Sequence, residues 1–221
     1  MNKQQTTPVN TAMDTTATGL PEPTLRRLPW YLAYVTTLRR ENVEYVSSTR
    51  ISAEVGVDAS QIAKDLSFLN IKGKTRIGYE VARLESRLRD FLGFDQQHNA
   101  VIIGAGSLGS ALMRDSGLLR YGLNLVAAFD IDEQIVGGEI RGIPIYHISR
   151  LGEIARDRQV NIAAVTVPVD AAQVVADTIM DVGIRAIWNF TPCRIMVRPN
   201  VVVQNTSIYS HLAVMYNRLK Q

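Results

Sequence analysis

The chain has 221 residues, 46% of them apolar, with a formal net charge of +3 and a sequence pI near 9.1, so it can hold one large domain or two small ones, each with its own core. A lone cysteine, Cys193, excludes an intrachain disulfide and a cysteine-built zinc site. No apolar run approaches the roughly 18 residues a membrane span needs, and no signal-peptide core opens the chain, so a soluble cytoplasmic protein is expected with no metal site.

The positive charge is unevenly placed. Residues 24–95 hold 12 Lys and Arg against 9 Asp and Glu, whereas residues 96–221 hold 11 against 10. The surplus in the first segment points to an anionic partner there. Residues 1–22 are rich in Thr, Gln, Asn and Pro and poor in large apolar residues, so a disordered tail is expected.

A helical pattern then runs from Thr24 to about Leu38, with Leu28, Leu32, Val35 and Leu38 at helical spacing and Pro29 expected in the first turn. Ser48 is the candidate N-cap of a second helix, Thr49 to Val55, which Gly56 stops. Asp58-x-x-Gln61 resembles a capping box and opens a third helix reaching about Leu69. Two helices about a short Gly-containing turn form the helix-turn-helix pattern. On the last helix Ile62, Leu66 and Leu69 face inward, while Ser60, Ala63, Lys64 and Ser67 share the other face with Gln61 at its edge. Such donors suit base edges and phosphates in a major groove; an ordinary solvated face is the bland alternative.

Next, Lys72-Gly73-Lys74-Thr75-Arg76-Ile77-Gly78-Tyr79 carries three cations and no acid about a turn, which predicts a β-hairpin wing against DNA. A helix with Leu84, Leu88 and Phe91 inward, ended by Gly93, completes a winged-helix domain over residues 23–95.

From Asn99 the pattern alternates strand and helix. Strands are predicted at Ala100–Ile103, Leu123–Phe129, Ile143–Tyr146, Ile162–Thr166, Ala186–Trp188 and Val201–Val203, and helices at Ser107–Arg114, Ile148–Arg158, Asp170–Val182 and from Ser207. Continuous apolar strands in alternation with helices predict a parallel sheet covered on both faces, a Rossmann-type domain over residues 96–205. Its first strand runs into Gly104-Ala105-Gly106-Ser107-Leu108-Gly109, the glycine spacing of a dinucleotide-binding turn. The second strand ends in Asp130, 26 residues after Gly104, near the place of a ribose-binding acid. A carboxylate there repels a 2′-phosphate, and the next arginine is only Arg141, which favours NAD+/NADH over the phosphorylated cofactor. Strand ends in such sheets share one rim, so Ile131, Thr166-Val167-Pro168 and Asn189-Phe190 join the candidate cofactor set. The last helix, within residues 206–221, carries Ile208, Leu212, Met215 and Leu219 on one face, which docks either on its own sheet or on a partner subunit.

These separated motifs together resemble the Rex family of redox-sensing transcriptional repressors: Ser47-Ser48, Lys64-Asp65-Leu66-Ser67-Phe68, Gly78-Tyr79, the glycine turn with Ser110-Ala111, Phe129-Asp130-x-Asp132, Thr166-Val167-Pro168 and Asn189-Phe190-x-Pro192. The resemblance spans about Leu25 to the C-terminus. It implies a homodimer whose winged helix binds palindromic double-stranded operator DNA and whose Rossmann domain binds NAD+ or NADH. It also implies a C-terminal helix exchanged between subunits, which adds Ile208 to the cofactor set, and release of DNA by NADH. The implied DNA-contacting set is Ser48, Ser60, Gln61, Lys64, Ser67, Lys72, Lys74, Arg76 and Tyr79.

The sequence also departs from that pattern. Ala63-Lys64-Asp65 stands where the family has Arg-Lys-Asp, and Thr75-Arg76-Ile77-Gly78-Tyr79 where it has Arg-Gly-Val-Gly-Tyr. Ala33, Asp115 and Ser207 match positions where relatives carry an interdomain Arg, Tyr and Asp. The competing readings are a small NAD-dependent dehydrogenase and a nucleotide- or CoA-binding module without DNA function. No substrate domain remains for a dehydrogenase, and His98, His147 and His211 show no local pairing with a nucleophile or acid. No catalytic residue is therefore assigned.

Overall fold

The structure, a computed structural model, describes residues 19–220, which divide into two compact units with the boundary between Phe94 and Asp95. Residues 1–18 of the expected tail lie outside the described residues, but Leu20 is buried in the core of the first unit.

The first unit opens with α1, Glu22–Arg40. It begins earlier than the apolar spacing indicated and runs through Pro29, which sits inside the helix instead of in its first turn. Pro23 takes the early position, where a missing N–H costs nothing. The buried stripe Leu28, Tyr31, Leu32, Val35 and Leu38 holds α1 in place; each such side chain contributes roughly 1.5–3 kcal/mol on burial. After β1 (Tyr45–Val46) come α2 (Ser48–Val55), α3 (Ala59–Ser67), β2 (Tyr79–Glu80) and α4 (Val81–Leu92). Ser47, not Ser48, caps α2, accepting from Arg50 N at 3.1 Å. Gly56 and Gly93 end α2 and α4 as expected. Ile51, Ile62, Leu66, Leu84 and Leu88 close the core around α1.

The wing is only half a hairpin. Strand β2 pairs antiparallel with β1, while the turn itself is closed by a single bridge between Lys74 and Gly78. Gly78 (φ +103) is obligatory, because a Cβ there would overlap the Val46 carbonyl.

The second unit is a seven-stranded sheet: β3 (His98–Ile103), β4 (Leu123–Asp130), β5 (Glu139–Ile140), β6 (Ile143–His147), β7 (Ile162–Val165), β8 (Ala186–Asn189) and β9 (Val202–Asn205). The spatial order is β5-β6-β4-β3-β7-β8-β9, and all neighbours are parallel except the edge pair β5–β6. That order is doubly wound, with the direction of winding reversing between β3 and β7. The short β5 and the one-turn α6 (Gly117–Arg120) carry too little apolar pattern to announce themselves.

Period-2 alternation divides the core. Val101 and Ile103 face α7 (Leu151–Asp157) and α8 (Ala172–Asp181), whereas Ile102 lies in the cluster that holds Met113 of α5 (Ser107–Arg114). Helices α7 and α8 are shorter than expected, each preceded by a 3-10 turn, at Ile148–Arg150 and Val169–Ala171. The last helix, α9 (Ile208–Arg218), buries none of its side chains, which excludes docking on its own sheet in this chain.

Candidate functional site

At the winding reversal, β3 ends in Gly104, whose φ of +96° turns the chain away from the sheet. Its N–H donates to the Phe129 carbonyl at 2.8 Å, and its own carbonyl accepts from Thr166 Oγ1 at 2.6 Å. A side chain at Gly104 would press on the Thr166 backbone, and one at Gly109 would overlap the Gly104 carbonyl. The loop is therefore clamped between two strand ends. Gly106 differs: a Cβ there would meet nothing within 4 Å, so its missing side chain leaves open space above the loop. Gly106 is also the N-cap of α5, makes no side-chain cap, and has no acid in the turn that follows. The N–H groups of Ser107, Leu108 and Gly109 thus form a bare, positively polarised helix start.

Asp130 closes the far side. Its Oδ2 accepts from Ala105 N at 2.7 Å and its Oδ1 from Ile131 N at 2.7 Å and Asp132 N at 3.1 Å. Three donors occupy a carboxylate with about four acceptor positions, leaving one for a ligand hydroxyl. Between these features lies an open cleft of about 200 Å³ lined by Gly104, Gly106, Asp130, Ile131, Val167 and Pro168, among others. Its apolar walls, open backbone donors and single acid fit a dinucleotide. Arg141 does not approach Asp130; its Nη1 donates to the Arg114 carbonyl.

Three expected members fall elsewhere. Asn189 is fully buried, donating to the Cys193 carbonyl and Asn205 and accepting from Thr191, so it staples the turn after β8 instead of facing the cleft. Phe190 packs against Trp188, ring centroids 4.5 Å apart and ring planes tilted by 44°. Ile208 starts α9, 54% exposed and outside the lining of this cleft, in a helix that buries none of its side chains in its own chain.

In the first unit, Ser60, Ala63, Lys64 and Ser67 are exposed along α3, and Lys72 and Arg76 are exposed around the wing. Arg76 sits at the turn with φ +62°, an uncommon conformation for a residue with a side chain. Lys74 is directed sideways: its Nζ donates to Tyr45 Oη at 2.7 Å and lies 4.7 Å from that ring, a contact that raises its pKa. Tyr79 is a core residue, not a surface one, since its pairing with Val46 turns the ring inward. Ser48 is half-buried behind the Ser47 cap. Gln61 also points inward, its Nε2 2.8 Å from Asp65.

Asp65 is the residue that sequence reasoning missed. It is fully buried and accepts from Arg27 Nε at 2.7 Å, Arg27 Nη2 at 2.8 Å, Tyr31 Oη at 2.7 Å and Thr24 Oγ1 at 3.0 Å, all from α1. Burial pushes its carboxyl pKa up, but the hydrogen bonds from Arg27, Tyr31, Gln61 and Thr24 outweigh it and hold it below the usual range. Burial and the contact with Asp65 push the Tyr31 hydroxyl up. The available signal was an acid three residues after Ile62, on the inward face of an otherwise apolar stripe.

The departures Asp115 and Ser207 have local tasks. Asp115 accepts from the N–H groups of Gly117 and Leu118, and Ser207 caps α9 by accepting from Ser210 N at 3.2 Å. Ala33 is exposed on α1.

Comparison with known proteins decides the family. The chain is 55% identical over 203 residues to the redox-sensing transcriptional repressor Rex of Bacteroides fragilis, covering 92% of both chains. It is 56% identical to that of Porphyromonas gingivalis, over 92% of this chain and 93% of the other. The chain belongs to the Rex family of redox-sensing transcriptional repressors. Two family patterns divide it: residues 19–67 match "Putative DNA-binding protein N-terminus" and residues 95–193 match "CoA binding domain". A solved Rex-family repressor, RSP, in complex with beta-NAD+ and operator DNA, has a TM-score of 0.86 at 34% identity over 90% of this chain and 92% of its own. The same protein with beta-NADH has a TM-score of 0.82, covering 90% of this chain and 94% of its own. Against this Rex background, the doubly wound sheet and the N-terminal helical unit agree with the sequence expectation. Among the described residues no helix is long and apolar enough to cross a membrane.

Proposed function

We propose that this Rex-family chain is a homodimeric repressor that binds palindromic operator DNA through its first unit and NAD+ or NADH through its second. In this reading NADH releases the operator, and the protein acts in the cytoplasm. The observation that carries it is the similarity, over nine-tenths of the chain, to a repressor solved both with NAD+ and operator DNA and with NADH. The bare start of α5 and open Gly106 would receive the pyrophosphate, and Asp130 an adenosine ribose hydroxyl. The exposed face of α3, with Lys64 and Ser67, would enter a major groove, and Lys72 and Arg76 would meet phosphates. Exposed Tyr209, Met215 and Tyr216 on α9, with Leu219 at its C-cap, support docking on a second subunit. NADH can shift such a dimer only by binding its DNA-free conformation better than its DNA-bound one. The chain carries no reaction in this reading; it reports by binding.

The test is fluorescence anisotropy on a duplex selected from random DNA by the chain, without ligand, with NAD+ and with NADH, at one salt concentration. Loss of binding with NADH alone supports the reading. Binding indifferent to NADH removes the redox part. Selection that enriches no sequence removes the operator part.

A further inference from the structure

Asp65 lies on the inward face of α3 among Ile62 and Leu66, where an apolar side chain would bury without desolvation cost. Instead five donated hydrogen bonds converge on its carboxylate, four from α1 and one from Gln61. Apolar packing is non-directional and leaves two helices free to rotate slightly against each other. A carboxylate gripped from one side by a planar guanidinium, a phenol and a hydroxyl does not allow that rotation. A turn of about 20° about the axis of α3 would carry side chains at its rim by roughly 2 Å, more than a hydrogen bond tolerates. The same carboxylate draws the Gln61 amide nitrogen inward, and Asp58 takes the Ser60 hydroxyl. The outward face is left to Ala63, Lys64 and Ser67, whose hydroxyl donates to the Lys64 carbonyl at 2.7 Å and keeps its acceptor positions outward.

We infer that Asp65 is a positioning residue for sequence discrimination: its bonds to Arg27, Tyr31 and Thr24 fix the rotation of α3 and so decide which base edges Lys64 and Ser67 reach. The phosphate contacts of Lys72 and Arg76 lie outside this network. The inference rests on the proposed DNA-binding function and deepens it.

The experiment uses the full chain with Asp65→Asn, Tyr31→Phe and the double variant Arg27→Gln/Asp65→Asn. Each is titrated against the duplex selected by the unsubstituted chain and against a scrambled duplex of equal length, at one salt concentration, with thermal melting alongside. Asp65→Asn is expected to weaken the selected duplex about tenfold and the scrambled one by less than about twofold. Tyr31→Phe moves the same way by about threefold, and the double variant recovers part of the lost discrimination by pairing two neutral amides. Should Asp65→Asn fail to fold, Tyr31→Phe, which keeps the ring, carries the test. Discrimination unchanged in folded variants overturns the inference alone, as does a parallel loss on both duplexes, which marks a merely structural role. An unsubstituted chain that binds neither duplex overturns the DNA-binding function and this inference together.

Discussion

The backbone N–H of Ala105 donates to Oδ2 of Asp130 at 2.7 Å, joining the glycine turn after β3 to the acid that ends β4. One carboxylate therefore shapes the turn and offers its remaining acceptor position to a ligand. Asp130→Ala is expected to lower NADH affinity by about 10–100-fold, since a hydrogen bond to a charged group is worth roughly 1.5–3 kcal/mol. Titration of NADH fluorescence measures it; an affinity within twofold of the unsubstituted chain would place the ribose elsewhere. The same titration with NADPH should show weaker binding, because Asp130 repels a 2′-phosphate and Arg141 is engaged with the Arg114 carbonyl.

Two glycines of one turn should differ in their effect on stability while both lower NADH binding. Gly106→Ala adds a Cβ into open space, so stability should change by less than about 0.5 kcal/mol while NADH binding collapses. Gly109→Ala drives a Cβ into the Gly104 carbonyl and should lower the melting temperature as well as binding. Melting curves and NADH titration on both variants separate the two effects; equal melting losses would refute the distinction.

Arg76 at φ +62° carries strain that glycine would relieve by roughly 1 kcal/mol. Arg76→Gly is therefore expected to leave the first unit at least as stable, yet weaken DNA binding and reduce the salt dependence, as the slope of log K against log salt, by about 1. Affinities at several salt concentrations check this. An unchanged slope would mean that Arg76 meets no phosphate.

The pH dependence of stability should follow Asp65. Its folded pKa lies below that of an unfolded aspartate, about 3.9, so its stabilisation is fully present above that value. The contribution is lost as pH falls through the folded value, when the carboxylate takes up a proton. Melting temperatures between pH 3 and 7 should drop at the acid end, and less steeply in Asp65→Asn.

Removing residues 206–221 should convert the proposed dimer to a monomer, since α9 exposes its apolar residues and buries none in its own chain. Sedimentation velocity measures this. A truncated chain that stays dimeric would assign the interface elsewhere.

The sequence by itself determined the two-unit order, the alternating sheet, the glycine turn and its acid, because each rests on local periodicity or on spacing along the chain. The glycines at Gly104 and Gly109 were legible for that reason, and so was Lys64 on its exposed face. What only the tertiary structure decided is where polar side chains spend their hydrogen bonds. Gln61 and Lys74, which the sequence offers as DNA contacts, donate in the structure to Asp65 and Tyr45, and Asn189, offered as a cofactor ligand, donates to Asn205 and the Cys193 carbonyl. Gln61 meets Asp65 at the i,i+4 spacing of one helix, but Tyr45 lies 29 residues from Lys74, Asn205 lies 16 from Asn189, and Arg27 reaches Asp65 across 38. No periodicity encodes these distant pairings, because a hydrogen bond depends on distance in space and not on separation along the chain.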